Sequence, residues 1–345
     1  FRSIGVLFYV VLIAIYFFLN SGLVTLVFSH TVEVMQNNPH LKETCVQIIY
    51  VGWALSSPYL VALCLISPNW RVISAIYNSL PLLLLVLKYP NIITDYLQFI
   101  SNRSLLHGNT SDEKAKVNQA GTPSPWNLLK YKSLRMITIL TCIFEGIVSM
   151  IYFGAHLAVD SLIGSLYINI TLLGIIEGIA YLTSAFINAN YSRKKSLSGL
   201  LILNCLVYMF FLFVYSDDPE NSSITLAVLN SILAIIGKWL NTVIYGSFHG
   251  YLAELSPNKY RPTLYSMTGA LGSIVLIIVP QIITFMKRLG ISSYVFFGLA
   301  NLAGLLCILP LEETKDKPIK EVPDEELTPD QELVPFDKTP EEISR

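Results

Sequence analysis

Gly237-Lys238-Trp239-Leu240-Asn241-Thr242-Val243-Ile244-Tyr245-Gly246-Ser247-Phe248-His249-Gly250-Tyr251-Leu252-Ala253-Glu254-Leu255-Ser256-Pro257-Asn258-Lys259-Tyr260-Arg261 is the stretch from which the fold is read. It lies in an apolar run that starts near Ile224 and ends in a short polar loop. An ammonium inside such a run is costly unless it faces protein or water, which makes Lys238 a candidate functional residue. Asn241, Thr242, Tyr245 and His249 follow it at i+3, i+4, i+7 and i+11. On a helix those offsets share one face and draw a polar stripe down an apolar rod. The stripe serves either as hydrogen-bonding glue between helices or as the lining of a wet cavity.

The whole chain has the same character. Of its 345 residues 53% are hydrophobic and 14% charged, and mean hydropathy is +0.56. A soluble domain carries about 25% charged residues, so the balance points to a polytopic membrane protein. The net charge of −1 conceals an asymmetry: the last 34 residues hold 12 acidic and 5 basic side chains, leaving 18 basic against 12 acidic elsewhere. That excess of bases suits loops at an anionic membrane surface. The five cysteines are scattered without metal-ligand spacing, and no nucleophile–base constellation or phosphate loop stands out. No enzymatic role, cofactor, metal or nucleic-acid partner is expected.

Nine apolar stretches are long enough to cross a bilayer as helices: 5–29, 47–66, 71–88, 135–157, 164–188, 197–215, 223–250, 263–286 and 290–310. Pro58, Pro81 and Pro280 fall inside spans, where neighbouring helices can satisfy the freed backbone. Alternating the connections between two sides gathers Lys88, Lys130, Lys132, Arg135, Arg193, Lys194, Lys195, Lys259 and Arg261 on one, against Arg2, Arg71, Lys287 and Arg288 on the other. The positive-inside rule makes the first side cytoplasmic and places the C-terminus there. Residues 90–132 form the long polar connection, with a short surface helix expected near 92–100. The Pro- and Glu-rich tail from Lys315 is expected to be disordered or partner-bound.

Two further spans carry polar stripes. Glu145, Ser149, Tyr152 and His156 recur at i, i+4, i+7 and i+11, and Glu177, Tyr181, Ser184 and Asn188 repeat the offsets. Three polar faces in one bundle point to a shared cavity. An intramembrane carboxylate needs a partner, a proton or water. Glu145 and Glu177 are therefore candidates to pair with Lys238 or to meet a cationic ligand, the bland alternative being a purely structural Glu–Lys bridge.

Ordered motifs carry a resemblance. Gly237-Lys238-Trp239, Ala253-Glu254-Leu255-Ser256-Pro257 and Arg261 resemble the tenth span and following loop of the organic ion (cation, anion and carnitine) transporters of the major facilitator superfamily. Asn20-Ser21-Gly22 with Glu33, Trp70-Arg71, Tyr152-Phe153-Gly154 with Asp160, and Gly164–Asn169 with Glu177 resemble parts of the fourth, sixth, seventh and eighth spans. Leu309-Pro310-Leu311-Glu312-Glu313-Thr314-Lys315 is similar to the end of the twelfth. The resemblance implies an all-α, polytopic transmembrane helix bundle of major facilitator type. It divides the chain into a partial N-terminal bundle (1–90, three spans), an inter-bundle loop (91–133), a C-terminal six-span bundle (134–310) and a tail (311–345). The family's first three spans are expected to be missing, leaving apolar faces at 5–29 and 47–66 for lipid or a protein partner.

The implied function is alternating-access transport of a small, charged organic solute. Glu145, Ser149, Tyr152, Glu177, Lys238, Asn241, Tyr245 and Ser273 are expected to line the cavity. Ser273 stands where the cation branch tends to carry Asp and the anion branch Arg. Arg193, Lys194, Glu254 and Arg261 fall in gating motifs, with the Glu254–Arg261 spacing suited to a charge pair at the helix ends. There are departures: Ala189-Asn190-Tyr191-Ser192-Arg193-Lys194 keeps the bases of the loop after the eighth span without its Asp and Gly. Only Tyr89-Pro90-Asn91 remains of the Glu-Ser-Pro-Arg segment after the sixth. The alternative they raise is a non-transporting, transporter-like subunit of a larger membrane complex.

The lysine and arginine bias yields a topology test. Cysteine labelling at Asn109 and Thr328 in sealed vesicles should report the same side; opposite sides would refute the nine-span count.

Overall fold

The computed structural model describes residues 39–69, 71–77, 79, 125–157, 162, 164–214, 224–257, 259–315 and 317. Among them there is no strand. The helices are α1 (Pro39–Ile66), α2 (Pro125–Lys130), α3 (Lys132–Leu157), α4 (Leu166–Asn190), α5 (Arg193–Met209), α6 (Phe211–Val214), α7 (Ile224–Leu255), α8 (Arg261–Leu276), α9 (Val279–Arg288) and α10 (Ser293–Ile308). Residues 71–77 are also helical. The expected span 5–29, most of 71–88, the helix near 92–100, Glu33, Asp160 and the tail beyond 317 lie outside the described residues.

Six helical stretches are long and apolar enough to span a membrane: Gln47–Ile66, Lys132–Leu157, Leu166–Asn190, Arg193–Val214, Ile224–Leu255 and Arg261–Arg288, with Ser293–Ile308 a shorter apolar helix. Two described helices lie partly or wholly outside the expected spans. The first starts at Pro39, a residue suited to a first turn because its missing N–H would have no partner there. The second is α2, within the stretch expected as a connection, whose Leu128 is buried while Trp126 is exposed.

The bundle buries a layer of polar side chains and turns large apolar ones outward. Glu145, Ser149, Glu177, Ser184, Asn188, Asn204, Lys238, Asn241 and Asn301 are all buried, while Ile139, Ile143, Ile179, Phe186, Leu206 and Leu306 are exposed. A water-soluble helix would turn these faces around; in lipid, where tails are as apolar as leucine, this arrangement confines every costly group to the interior. Two apolar clusters sit at either end of the polar layer. One joins Leu134, Phe144, Leu201, Phe248, Leu252 and Leu264. The other joins Ile151, Ala155, Tyr208, Val279, Ile283 and Phe297. α3 packs on α7, α8 and α10, while α7 reaches α4 and α5.

Proline chemistry accounts for one break. Pro280 has no N–H and its ring opposes the carbonyl four residues back, so the helix from Arg261 stops at Leu276. Ile277 and Ile278 tighten into bonds to Ile274 and Val275 before α9 begins. Pro58 interrupts α1 less severely because α4 lies against the site. A Cβ on Gly174 would meet Pro58 Cδ at 2.6 Å and the Ala54 carbonyl oxygen at 3.0 Å. Gly174 thus lets α4 approach the carbonyl that Pro58 leaves without its usual helical donor. This α1–α4 seam joins the segment before the long loop to the six-span part.

Gly237 opens a second close approach. A Cβ there would lie 2.1 Å from Cε1 of Tyr208, which is wholly buried among Phe211, Tyr294 and Phe297 and has little room to yield. Gly237→Ala should lower stability by about 1–3 kcal/mol, the usual cost of overpacking. Gly199→Ala, with open space around its Cβ, should be neutral or stabilising by up to about 1 kcal/mol. Thermal unfolding of the detergent-purified protein separates them; equal midpoints would contradict the packing described.

Candidate functional site

Lys238 sits at the centre. Its stem is held in α7, midway along a 32-residue helix, and its side chain is 1% exposed. The ammonium lies 3.5 Å from the centroid of the Tyr152 ring, 2.8 Å from His156 Nδ1 and 3.4 Å from the Tyr152 carbonyl oxygen. The nearest carboxylate oxygen is Glu177 Oε2 at 3.9 Å, too far for a hydrogen bond. His156 bridges that gap, its Nε2 standing 3.2 Å from the same Oε2. Buried charges persist only when paired and hydrogen-bonded, and this cation has a carboxylate, an imidazole, a carbonyl and a ring face. The expected Glu–Lys pairing therefore selects Glu177, through an imidazole.

Glu145 belongs to a separate group on the same helix face as Tyr152. Its Oε1 accepts from the Ser149 hydroxyl at 3.0 Å. Its Oε2 has no hydrogen-bond partner among the described residues, with His249 Nε2 at 4.0 Å. Aromatic rings close the space between the groups. Tyr152 stacks on Tyr245 at 4.8 Å and Tyr50 on Tyr181 at 5.0 Å. Tyr245 leans on His249 at 4.5 Å, and the Tyr181 hydroxyl donates to that of Tyr152. Negative ring faces beside a buried carboxylate suit a cation whose surface is too diffuse for tight hydration. Among the described residues no group of three His, Cys, Asp or Glu could hold a metal ion.

Glu145, Ser149, Tyr152, Glu177, Lys238 and Tyr245 are thus brought together. Asn241 is wholly buried with neither side-chain polar atom hydrogen-bonded among the described residues, while Thr242 returns its hydroxyl to the Lys238 carbonyl. Ser273 is exposed and its hydroxyl donates to the Gly269 carbonyl of its own helix. Its neighbour Gly272 is the residue that α8 turns toward Glu145, where a Cβ would stand 3.2 Å from Glu145 Cγ.

Arg193, Lys194, Glu254 and Arg261, the residues of the expected gating motifs, lie together at the Lys- and Arg-rich end, and Glu254 takes a different partner from the one its spacing suggests. Glu254 pairs with Arg193, whose Nη2 and Nε reach its two oxygens at 2.8 and 3.1 Å. Arg261 instead donates from Nε to the Ala253 carbonyl at 2.9 Å. The Glu254–Arg261 spacing allows a pair, but Arg261 turns back to the Ala253 carbonyl near the end of α7 and Glu254 points across to α5. The segment after α10 straps over both. Thr314 donates to Glu254 Oε2 at 2.6 Å, and the Glu313 carboxylate accepts from the backbone N–H of Arg193 and Lys194 at 2.9 and 3.2 Å. A carboxylate at a helix N-terminus satisfies donors that have no partner within the helix and meets the positive end of its dipole. Lys194 Nζ donates to the Leu309 carbonyl and Lys315 Nζ to that of Asn190, each at 2.6 Å. The Tyr251 hydroxyl donates to the Glu312 carbonyl.

Gln47, Tyr50, Glu313 and Thr314 escaped the sequence reading as site residues. Gln47 Nε2 donates to the Gly246 carbonyl of α7 at 3.1 Å. A signal existed: Gln47, Tyr50, Ala54 and Pro58 fall at i, i+3, i+7 and i+11, the same spacing as the stripes that were read.

Comparison with known proteins follows this geometry closely. Residues 95–325 match the protein-family model described as "Sugar (and other) transporter". A Xenopus laevis protein, "Solute carrier family 22 member 15-like", is 26% identical over 291 residues, covering 77% of this chain and 57% of the relative. Human "Solute carrier family 22 member 13" is 27% identical over 218 residues (63% and 37%). Rat "Organic cation/carnitine transporter 2" is 31% identical over 153 residues (44% and 26%). The chain thus spans about half the length, or less, of these curated relatives.

The re-paired latch can be measured by double-mutant cycles on thermal or denaturant stability. Arg193→Ala with Glu254→Gln should show a coupling of about 1–3 kcal/mol, and Arg261→Gln with Glu254→Gln less than about 0.5 kcal/mol. The reverse order would restore the pairing expected from spacing.

Proposed function

For a chain that belongs to the sugar (and other) transporter family, as an organic cation, anion and carnitine transporter-like major facilitator, we propose alternating-access transport of small organic cations across a membrane. One observation carries the sign of the solute. Glu145 is 3% exposed, its Oε2 has no hydrogen-bond partner among the described residues, and His249, 4.0 Å from that oxygen, packs against the rings of Tyr245 and Tyr50. It lies ten residues into the span from Arg135, about 15 Å at the helical rise, or half the hydrocarbon thickness. A lone carboxylate is most costly at that depth, and a cation on the neighbouring rings relieves it. Two relatives named as organic cation/carnitine transporters, rat and mouse, support the same sign.

Lys238 serves as the resident cation, balancing Glu177 and covering the Tyr152 ring between substrates. Access alternates when the segment before the long loop rocks on the six-span bundle along the α1–α4 seam, with the solute between them. The Arg193–Glu254–Thr314 latch lies on the cytoplasmic side by the lysine and arginine bias and closes that end. It is assembled without the Asp and Gly of the family's loop pattern, which argues for a working gate over the non-transporting alternative.

Glu145→Gln in the whole protein should weaken binding of an organic cation such as tetraethylammonium by about 1–3 kcal/mol, the worth of a charge-assisted contact. Folding and membrane insertion should persist. Scintillation proximity or calorimetric titration reads the change; loss of anion binding with cation binding intact would reverse the sign assigned.

A further inference from the structure

Lys238, His156 and Glu177 form a linear chain whose chemistry the cation site does not require. An ammonium has donors only, so at 2.8 Å from Lys238 Nζ the His156 Nδ1 must accept. A neutral imidazole then carries its proton on Nε2, which faces Glu177 Oε2 at 3.2 Å. The hydrogen bonds run one way, from cation through ring to anion.

The opposite direction is equally satisfied. If Lys238 passes a proton to Nδ1 and Nε2 passes its own to Glu177, the ring is again neutral. Lys238 becomes an amine and Glu177 a carboxylic acid whose O–H donates to Nε2. The new Nδ1–H has a waiting acceptor in the Tyr152 carbonyl at 3.2 Å. Two N–H bonds break, one N–H and one O–H bond form, and net charge is unchanged. Each link from Lys238 through His156 to Glu177 Oε2 keeps a donor facing an acceptor in both directions, and Glu177 Oε1 is buried with no hydrogen-bond partner among the described residues, so the chain can switch without losing a bond.

Exposure differs along the chain. The Lys238 and Glu177 side chains are each 1% exposed, and His156 is 32% exposed, one residue from the end of α3. His156 is thus the member that water can reach. Among the described residues the titratable groups near it are Tyr152 on its own helix, Glu177 and Tyr181 on α4, and Lys238 and Tyr245 on α7. Behind them lie Tyr50 of α1 and the Glu145–His249 pair. On its other side α3 packs Ile151 and Ala155 against Val279 and Ile283 of α9 and Tyr294 and Phe297 of α10, of which only Tyr294 titrates.

We infer that His156 is a proton port: the Lys238–His156–Glu177 chain holds one exchangeable proton and surrenders it through His156 when an organic cation takes the Tyr152 ring face. The inference rests on the proposed cation site and names what couples to it. Two cations cannot share one ring face in a low-dielectric site, so the arriving charge is compensated by loss of the proton that makes Lys238 an ammonium. His156 relays that proton from Nζ to water, leaving amine, neutral imidazole and carboxylate. The exchange is one organic cation for one proton.

The test uses the whole protein in nanodiscs in weak buffer with a pH dye, and tetraethylammonium as probe because it has no proton of its own to release. The native protein should release about one proton per cation bound, as linkage requires. His156→Gln, which keeps a donor and an acceptor but cannot relay, should cut the rate of release per bound cation at least about tenfold. His156→Asn gives the same comparison if the glutamine variant fails to express. Saturable binding without proton release, or release at the native rate in either variant, overturns the inference. A second measurement stands apart from the cation. An infrared carboxyl band should rise reversibly as pH falls, vanish in Glu177→Gln and shift its titration in His156→Gln. If that band is missing, the proton site is refuted. If it behaves as described while tetraethylammonium fails to bind, the cation reading fails and the proton site stands.

Discussion

An ammonium buried at the middle of a membrane helix constrains everything around it. Lys238 has almost no surface left, and stripping an ion of water costs several kcal/mol even after its surroundings relax. The rest of the bundle can be read as the compensation. α3 supplies a ring face, a carbonyl and an imidazole from Tyr152 and His156, and α4 supplies the counter-charge of Glu177. Three helices must therefore meet at one depth and rotation, which apolar packing alone would not specify. The same reasoning explains the close approaches nearby. Gly237, one residue before the lysine, lets α7 come against Tyr208 of α5 and fixes how far the helix can turn.

Charge is handled differently at the two levels of the molecule. In the polar layer the ions are few, almost free of solvent and bridged through neutral groups. At the Lys- and Arg-rich end they are direct: Arg193 clasps Glu254 in two-point contact, and the Glu313 carboxylate caps the start of α5. Direct pairs that keep a small share of solvent part more readily than fully buried ones, because water reaches the separated charges. A buried pair separated by an imidazole is harder to part but easy to neutralise in place. The division fits a cycle in which the ends open and close while the centre changes its charge.

Much of this was legible beforehand. The three stripes beginning at Glu145, Glu177 and Lys238 do converge, because i, i+4, i+7 spacing fixes a face wherever the helix exists. What spacing cannot give is the partner. Glu254 and Arg261 are seven apart, yet Glu254 takes Arg193, sixty-one residues away, since the choice depends on how α5 and α7 cross. Ser273 makes a related point: the residue of α8 that faces Glu145 is its neighbour Gly272, which carries no polar group for a sequence reading to notice. Gln47 and Tyr50 were passed over because their span reads as apolar on average, and a mean conceals two polar groups on one face. The extra turns of α1 before Gln47 and the helix at Pro125–Lys130 fell where composition says loop; in the second, burial of Leu128 overrides that signal.

The seam between α1 and α4 has a mechanical consequence. Gly174 lies on the pyrrolidine ring of Pro58 and the Ala54 carbonyl with no side chain of its own. Two turns away on the same pair of helices Tyr50 stacks on Tyr181 at 5.0 Å, and Gln47 ties α1 to α7 through the Gly246 carbonyl. The seam is thus smooth at one end and keyed at the other: bare backbone meets a ring at Gly174, while large flat side chains set the register of the rest.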